Sequence, residues 1–98
     1  MTQTEKDIKA KINQMITELI ATDNVRKMKS EVYGRLEGID ITDEQNLKNQ
    51  CHFAHLMNLF NLISSLEHKS IQHVKAGMRD YLENNNPLWM DIVKRIAA

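Results

Sequence analysis

The stretch Leu47–Leu66 carries Phe53, Ala54, Leu56, Met57, Leu59, Phe60, Leu62 and Ile63 without a single Gly or Pro. At about 100° per residue these side chains cover more than half of a helix circumference and leave one narrow polar stripe, through His55, Asn58, Asn61 and Ser65. A helix with so wide an apolar surface is expected at the centre of a fold, with the rest of the chain built around it. Ninety-eight residues suffice for one such core. A single helical domain over residues 1–98 is therefore expected, small enough for a partner subunit to add materially to its stability.

The flanking segments read as the helices that cover it. Ile8, Ile12, Met15, Ile16, Leu19 and Ile20 recur at three and four over residues 4–21, and Thr2 with Glu5 has capping-box spacing at the start. The phase is lost at Thr22, Asp23 and Asn24, all good caps. A second helix follows, with Val25, Met28, Val32, Tyr33 and Leu36 inward and Gly38 placed to end it in the left-handed conformation.

Past a linker over residues 38–41, Thr42 and Gln45 again have capping-box spacing, and Asp43 and Glu44 suit the positive end of a helix dipole, so the central helix is expected to start there. The face through Phe53, Leu56, Phe60 and Ile63 continues in phase to Ile71, Val74, Met78 and Tyr81, with Glu67 in its path. An unbroken helix of about 40 residues would extend ~60 Å and need a second chain to cover it. The polar residues 67–70 are instead expected to form a break, with Ser70 capping the next helix. Asn84, Asn85, Asn86 and Pro87 stop that helix and open a last one, Asn86 as cap and Pro87 at its first helical position, with Leu88, Trp89, Ile92, Val93 and Ile96 apolar. The expected fold is all-α, a small bundle of four or five helices around a buried central one, forming a dimer.

Thirteen basic residues balance thirteen acidic ones, so no net field draws the chain to nucleic acid or anionic lipid. No apolar run approaches the ~18 residues of a membrane span, and residues 1–11 are polar and mixed in charge, unlike a secretory signal. A cytoplasmic location is the expectation, and a lone Cys51 suits a reducing compartment. The bias toward Asn, Lys, Ile and Met suits an AT-rich bacterial or phage genome.

Motifs that would carry chemistry are incomplete. Cys51 and His55 lie four apart on one helical face beside His52, which is half of a structural zinc site. His73, Lys75 and Gly77 are similar to the neighbourhood of a phosphotransfer histidine, but Lys75 follows at two residues where that motif has three, so His73 is expected at the surface. The order of helix, Gly38 and helix is that of a helix-turn-helix, yet its recognition helix would open on Asp43 and Glu44, which repel phosphate. Arg26, Lys27, Lys29 and Arg35 form the densest basic cluster and are the candidate nucleic-acid-binding residues. They alternate with Val25, Met28 and Val32 as the solvated face of an amphipathic helix does. With no serine elbow, glycine-rich phosphate loop or recurring carboxylate–histidine pattern, neither an enzyme nor a bound cofactor or metal is expected.

Surplus apolar surface is what points toward activity. Six methionines supply adaptable side chains, and Trp89 on a short terminal helix is of the kind that anchors interfaces. The function expected is that of a non-enzymatic protein–protein interaction module acting as a homodimer: a regulator, adaptor, inhibitor or chaperone. Phe53, Leu56, Phe60, Ile63 and Trp89 are its partner-binding residues and the last helix its movable element. The alternative is a transcriptional regulator that binds nucleic acid through the basic cluster.

Overall fold

In the computed structural model, which describes residues 3–43, 45–84 and 86–97, five helices occur in the order α1 (Gln3–Ile20), α2 (Val25–Glu37), α3 (Leu47–Leu66), α4 (Ile71–Glu83) and α5 (Trp89–Ala97), and no strand is present among these residues. The radius of gyration, 13.1 Å, is that of a closely packed chain of this length. Helix α3 packs against all four others, and α1 and α4 also pack against each other. No helix is long and apolar enough to cross a membrane among the described residues.

The core is one continuous cluster. Helix α3 contributes Leu56, Leu59, Leu62, Ile63 and Leu66, all fully buried. They meet Ile8, Ile12 and Ile16 of α1, Met28 and Val32 of α2, Val74, Met78 and Tyr81 of α4, and Ile92 of α5, each at 1% exposure or less. The α3–α4 approach is close enough that a side chain at one glycine would displace its neighbours. A Cβ on Gly77 would stand 2.7 Å from Leu66 Cδ1 and 3.2 Å from Leu62 Cδ1.

Several helix ends follow the sequence. Asn24 caps α2, its side chain accepting from the Lys27 amide at 3.1 Å, and Ser70 caps α4 by accepting from the His73 amide at 3.1 Å. The chain turns at residues 67–70, so α3 and α4 are two helices rather than one.

Other ends differ from the sequence expectation. Helix α3 does not start at Thr42. The Asp40 carboxylate accepts from both the amide and the hydroxyl of Thr42, at 2.9 and 2.6 Å, and Asp43 accepts from the Gln45 amide at 3.0 Å. These short-range bonds hold a loop, and the helix begins only where Asn46 accepts from the Asn49 amide at 3.1 Å. Asn49 and Gln50 then donate back to the Asp40 and Ile41 carbonyls, fastening that loop to α3. Gly38 ends α2 in a right-handed conformation, φ −81°, instead of the left-handed one. Asn86 is left-handed, φ 57°, and donates its amide to the Tyr81 carbonyl at 2.8 Å. It thus closes α4 rather than capping α5, which starts two residues beyond Pro87. Thr4 already lies inside α1, while Thr2, Glu44 and Asn85 are outside the described residues.

The packing at Gly77 makes a paired prediction. Gly77→Ala gains up to about 1 kcal/mol of helix propensity but overpacks the α3–α4 contact at a cost of about 1–3 kcal/mol, so a net loss is expected in chemical denaturation. Gly34→Ala, whose Cβ would meet nothing within 4 Å, is expected to stabilise by about 0.5–1 kcal/mol.

Candidate functional site

The two flanks of α3 are covered by different helices. On one, Tyr33 of α2 packs against Phe60 with the rings tilted by 46° and their centroids 5.9 Å apart, and Lys29 of α2 lies 5.6 Å above the same ring while pairing with Glu67 at 3.1 Å. On the other, Asn58 Oδ1 accepts the backbone N–H of Trp89 at 3.4 Å and holds the start of α5. Phe60 and Asn58 lie about 160° apart around α3, and the arc between them contains Phe53, Ser64, Met57, Asn61 and Ala54. None of these five is buried. The arc is extended on the α2 side by Tyr33, 52% exposed, and near the start of α5 by Leu88 and Met90, 58% and 50% exposed.

This placement sorts the expected partner-binding residues. Phe53, Phe60 and Trp89 are half-buried at the margins of the arc. Leu56 and Ile63 are not: both point into the α3 seam at 0% exposure and have no surface to offer a partner. The physical reason is the period of the helix, which puts Phe53 and Phe60 together, seven apart, but turns Leu56 and Ile63 toward the core.

The polar stripe of α3 also has an internal use. His55 Nδ1 lies 2.7 Å from the Tyr81 hydroxyl, the two rings meeting edge to face. Burial pushes the Tyr81 hydroxyl well above its usual pKa. Burial, reinforced by Lys9 and His52, holds His55 below the ordinary histidine value. The far side of α5 is fixed by Arg95, which bonds both carboxylate oxygens of Asp80 on α4, at 2.9 and 2.6 Å, and Arg95 in turn holds that carboxyl below its usual range.

The basic cluster does not form one face. Lys29 turns toward Glu67, whereas Lys27 and Arg35 border a cleft on the opposite side of α2 beside Glu18 and Glu31. Arg26 lies on the exposed side of α2 near Lys29. A helix-turn-helix is not built either, because residues 38–46 intervene where that motif has a turn of about 3–4 residues, and α3 is the core helix. His73, expected at the surface, is half-buried with its Nδ1 2.7 Å from Ser70 Oγ, and that oxygen is already committed to the helix cap. Lys75, 9% exposed, reaches past the core to pair with Asp23 in the α1–α2 turn. The ion pair spans α4 and that turn, and no sequence spacing announced it.

Burial raises the Cys51 thiol pKa, which leaves it a poor nucleophile, and among the described residues no three His, Cys, Asp or Glu side chains gather as metal ligands. Cys51 borders an open cavity of about 900 Å³ between the starts of α1 and α3, lined also by Glu5, Asp43 and Leu47. No family model, curated protein or solved structure matches the chain.

Placing Phe60 at the margin and Leu59 in the seam fixes their relative costs. Leu59→Ala is expected to destabilise by about 2–5 kcal/mol, and Phe60→Ala by less than the ~3–5 kcal/mol of a fully buried phenylalanine, in parallel urea melts. Equal losses of that full size would mean that the arc is closed.

Proposed function

We propose that the protein is a non-enzymatic interaction module, a small helical bundle that pairs with a second copy of itself through the α3 arc and acts in the cytoplasm as a regulator, adaptor, inhibitor or chaperone of another protein. The observation that carries the reading is the set of incompletely buried apolar side chains on and beside the arc, Tyr33, Phe60, Phe53 and Met57, with Leu88 and Met90 exposed at the start of α5. A chain of this size gains by covering them, since an apolar patch at the centre of a contact supplies most of its free energy. A second copy suits it. The cation at the arc's margin, Lys29, is already neutralised by Glu67, so two arcs meeting about a two-fold axis bring no like charges into opposition there.

The split of the basic residues over opposite sides of α2 weighs against the alternative, a nucleic-acid-binding regulator. A phosphate-binding surface needs its cations along one path, and here carboxylates border two of them.

The test is sedimentation equilibrium over a concentration series. The chain is expected to approach twice its 11.4 kDa mass, and Tyr33→Glu, which places a charge beside the arc of both copies at an exposed position, is expected to weaken association by at least about tenfold with helical content unchanged. A monomeric mass at every concentration would overturn the reading.

A further inference from the structure

At its N-terminal end the buried seam of α3 runs out into a polar residue. His52 lies one turn before Leu56, the first fully buried side chain of α3, on the same side of the helix, and it is only half-buried. There it borders a cleft of about 180 Å³ that reaches down to Met15, 3% exposed, and whose walls carry Lys11, Gln14 and Glu18 of α1 and Arg35 of α2. Among the described residues no carboxylate lies within ion-pair distance of Lys11 or Arg35, and the His52 ring has no hydrogen-bond partner, unlike the rings of His55 and His73. Lys48, one turn before His52, adds a third cation to this end of α3.

We propose that this cleft, where α1, α2 and α3 meet, is a binding site for the phosphoryl group of a phosphate monoester, held by Lys11, Arg35 and His52 with Gln14 as a neutral donor. Arg35 offers a planar fork of N–H donors that matches two oxygens of a tetrahedral anion, Lys11 a compact charge with three donors, and His52 a ring N–H in either charge state. The three cations outnumber Glu18 by two, which is the charge of a phosphate monoester above its second pKa of about 6. The size agrees: pockets that enclose a drug-sized ligand hold roughly 300–1,000 Å³, whereas this cleft takes a phosphoryl group and a few atoms beyond it. Further along the same α1–α2 groove Glu18 and Glu31 flank Arg35. The positive region is thereby confined to one pocket, which selects a single phosphoryl group over the extended backbone of a nucleic acid.

His52 makes the site sensitive to acid. Burial, then the charges of Lys11 of α1, Arg35 of α2 and Lys48 on its own helix, hold this ring below the ordinary histidine value, and His52 in turn disfavours charge on His55. Glu18 is the one acid bordering the same cleft. A dianion seated among these groups offsets the repulsion and raises the His52 pKa. The bound form then holds more protons than the free one, so affinity grows as pH falls from the bound-state to the free-state pKa of His52, by about tenfold for each unit of difference between them.

The test follows the His52 ring resonance by proton NMR, assigned through its loss in His52→Gln, while sulfate is titrated against chloride at constant ionic strength from about pH 8 to pH 5. Sulfate is a tetrahedral dianion that keeps both charges over this range, so any pH dependence belongs to the protein. A saturable shift and a raised His52 pKa are expected in sulfate and not in chloride. Arg35→Gln and Lys11→Gln, both at exposed positions, are each expected to weaken binding by about five- to tenfold. Lys94→Gln on α5 removes the same charge far from the cleft and is expected to change nothing. Glu18→Gln is expected to tighten binding by about two- to fivefold, a gain that damage to the fold does not produce. Inorganic phosphate and a phosphoserine peptide are both expected to displace sulfate at about pH 8; whichever binds more tightly tells whether the phosphoryl group arrives on a small molecule or on a protein chain. A shift equal in chloride, an equal loss in Lys94→Gln, or sulfate that neither phosphate compound displaces would overturn the site. The site does not rest on self-association: His52 lies outside the α3 arc, and Tyr33→Glu is expected to leave sulfate binding unchanged.

Discussion

The seam of Leu56, Leu59, Leu62, Ile63 and Leu66 is the contact on which the rest of the structure depends. Each side chain is at 0% exposure, and together they meet residues from every other helix. Because they occupy one side of α3, the helices that bury them must also gather on that side, and the opposite side is left to whatever the flanks of α2 and α5 can reach. They reach Phe60 and Asn58 and stop there. The half-exposed arc is thus a consequence of the seam: nine residues of α5 and thirteen of α2 cannot close over a helix of twenty.

That geometry explains an apparent inversion. In a simple amphipathic helix the polar stripe faces water and the apolar face is covered. In α3 the stripe residues His55 and Asn58 turn inward to Tyr81 and the Trp89 amide, and it is Phe53, Met57 and Phe60 that stand half-open. Two docking helices are positioned by hydrogen bonds whose geometry fixes register, in a place where apolar packing alone would tolerate sliding. The ion pairs repeat the pattern at the periphery, Lys75 with Asp23 and Arg95 with Asp80 each tying α4 to a different part of the chain.

The helices were legible from the spacing of apolar residues, because period 3.6 survives in every segment and Asn24 and Ser70 both accept the amide three residues on, as caps do. The start of α3 was not. Thr42 and Gln45 have the right spacing for a cap, but Asp40, two residues upstream, takes the Thr42 hydroxyl first, and a spacing rule does not see such competition. The site was half legible. Phe53, Phe60 and Trp89 follow from excess apolar character, whereas the exclusion of Leu56 and Ile63 depends on which arc of α3 its neighbours choose to cover. The pairing of His55 with Tyr81, twenty-six residues apart, depends on the α3–α4 crossing and leaves no trace in sequence.

Methionine oxidation resolved by peptide mass tests most directly the claim that α3 is closed on one side and open on the other. Four methionines sample both sides and the core: Met57 in the arc, Met90 on α5 at its margin, and Met28 and Met78 sealed at 0% exposure. Dilute hydrogen peroxide on the folded protein is predicted to convert Met90 and Met57 to sulfoxide well before Met28 and Met78. Oxidation of Met28 or Met78 at the same rate as Met57 would contradict the account, for it would mean that the seam is no better sealed than the arc.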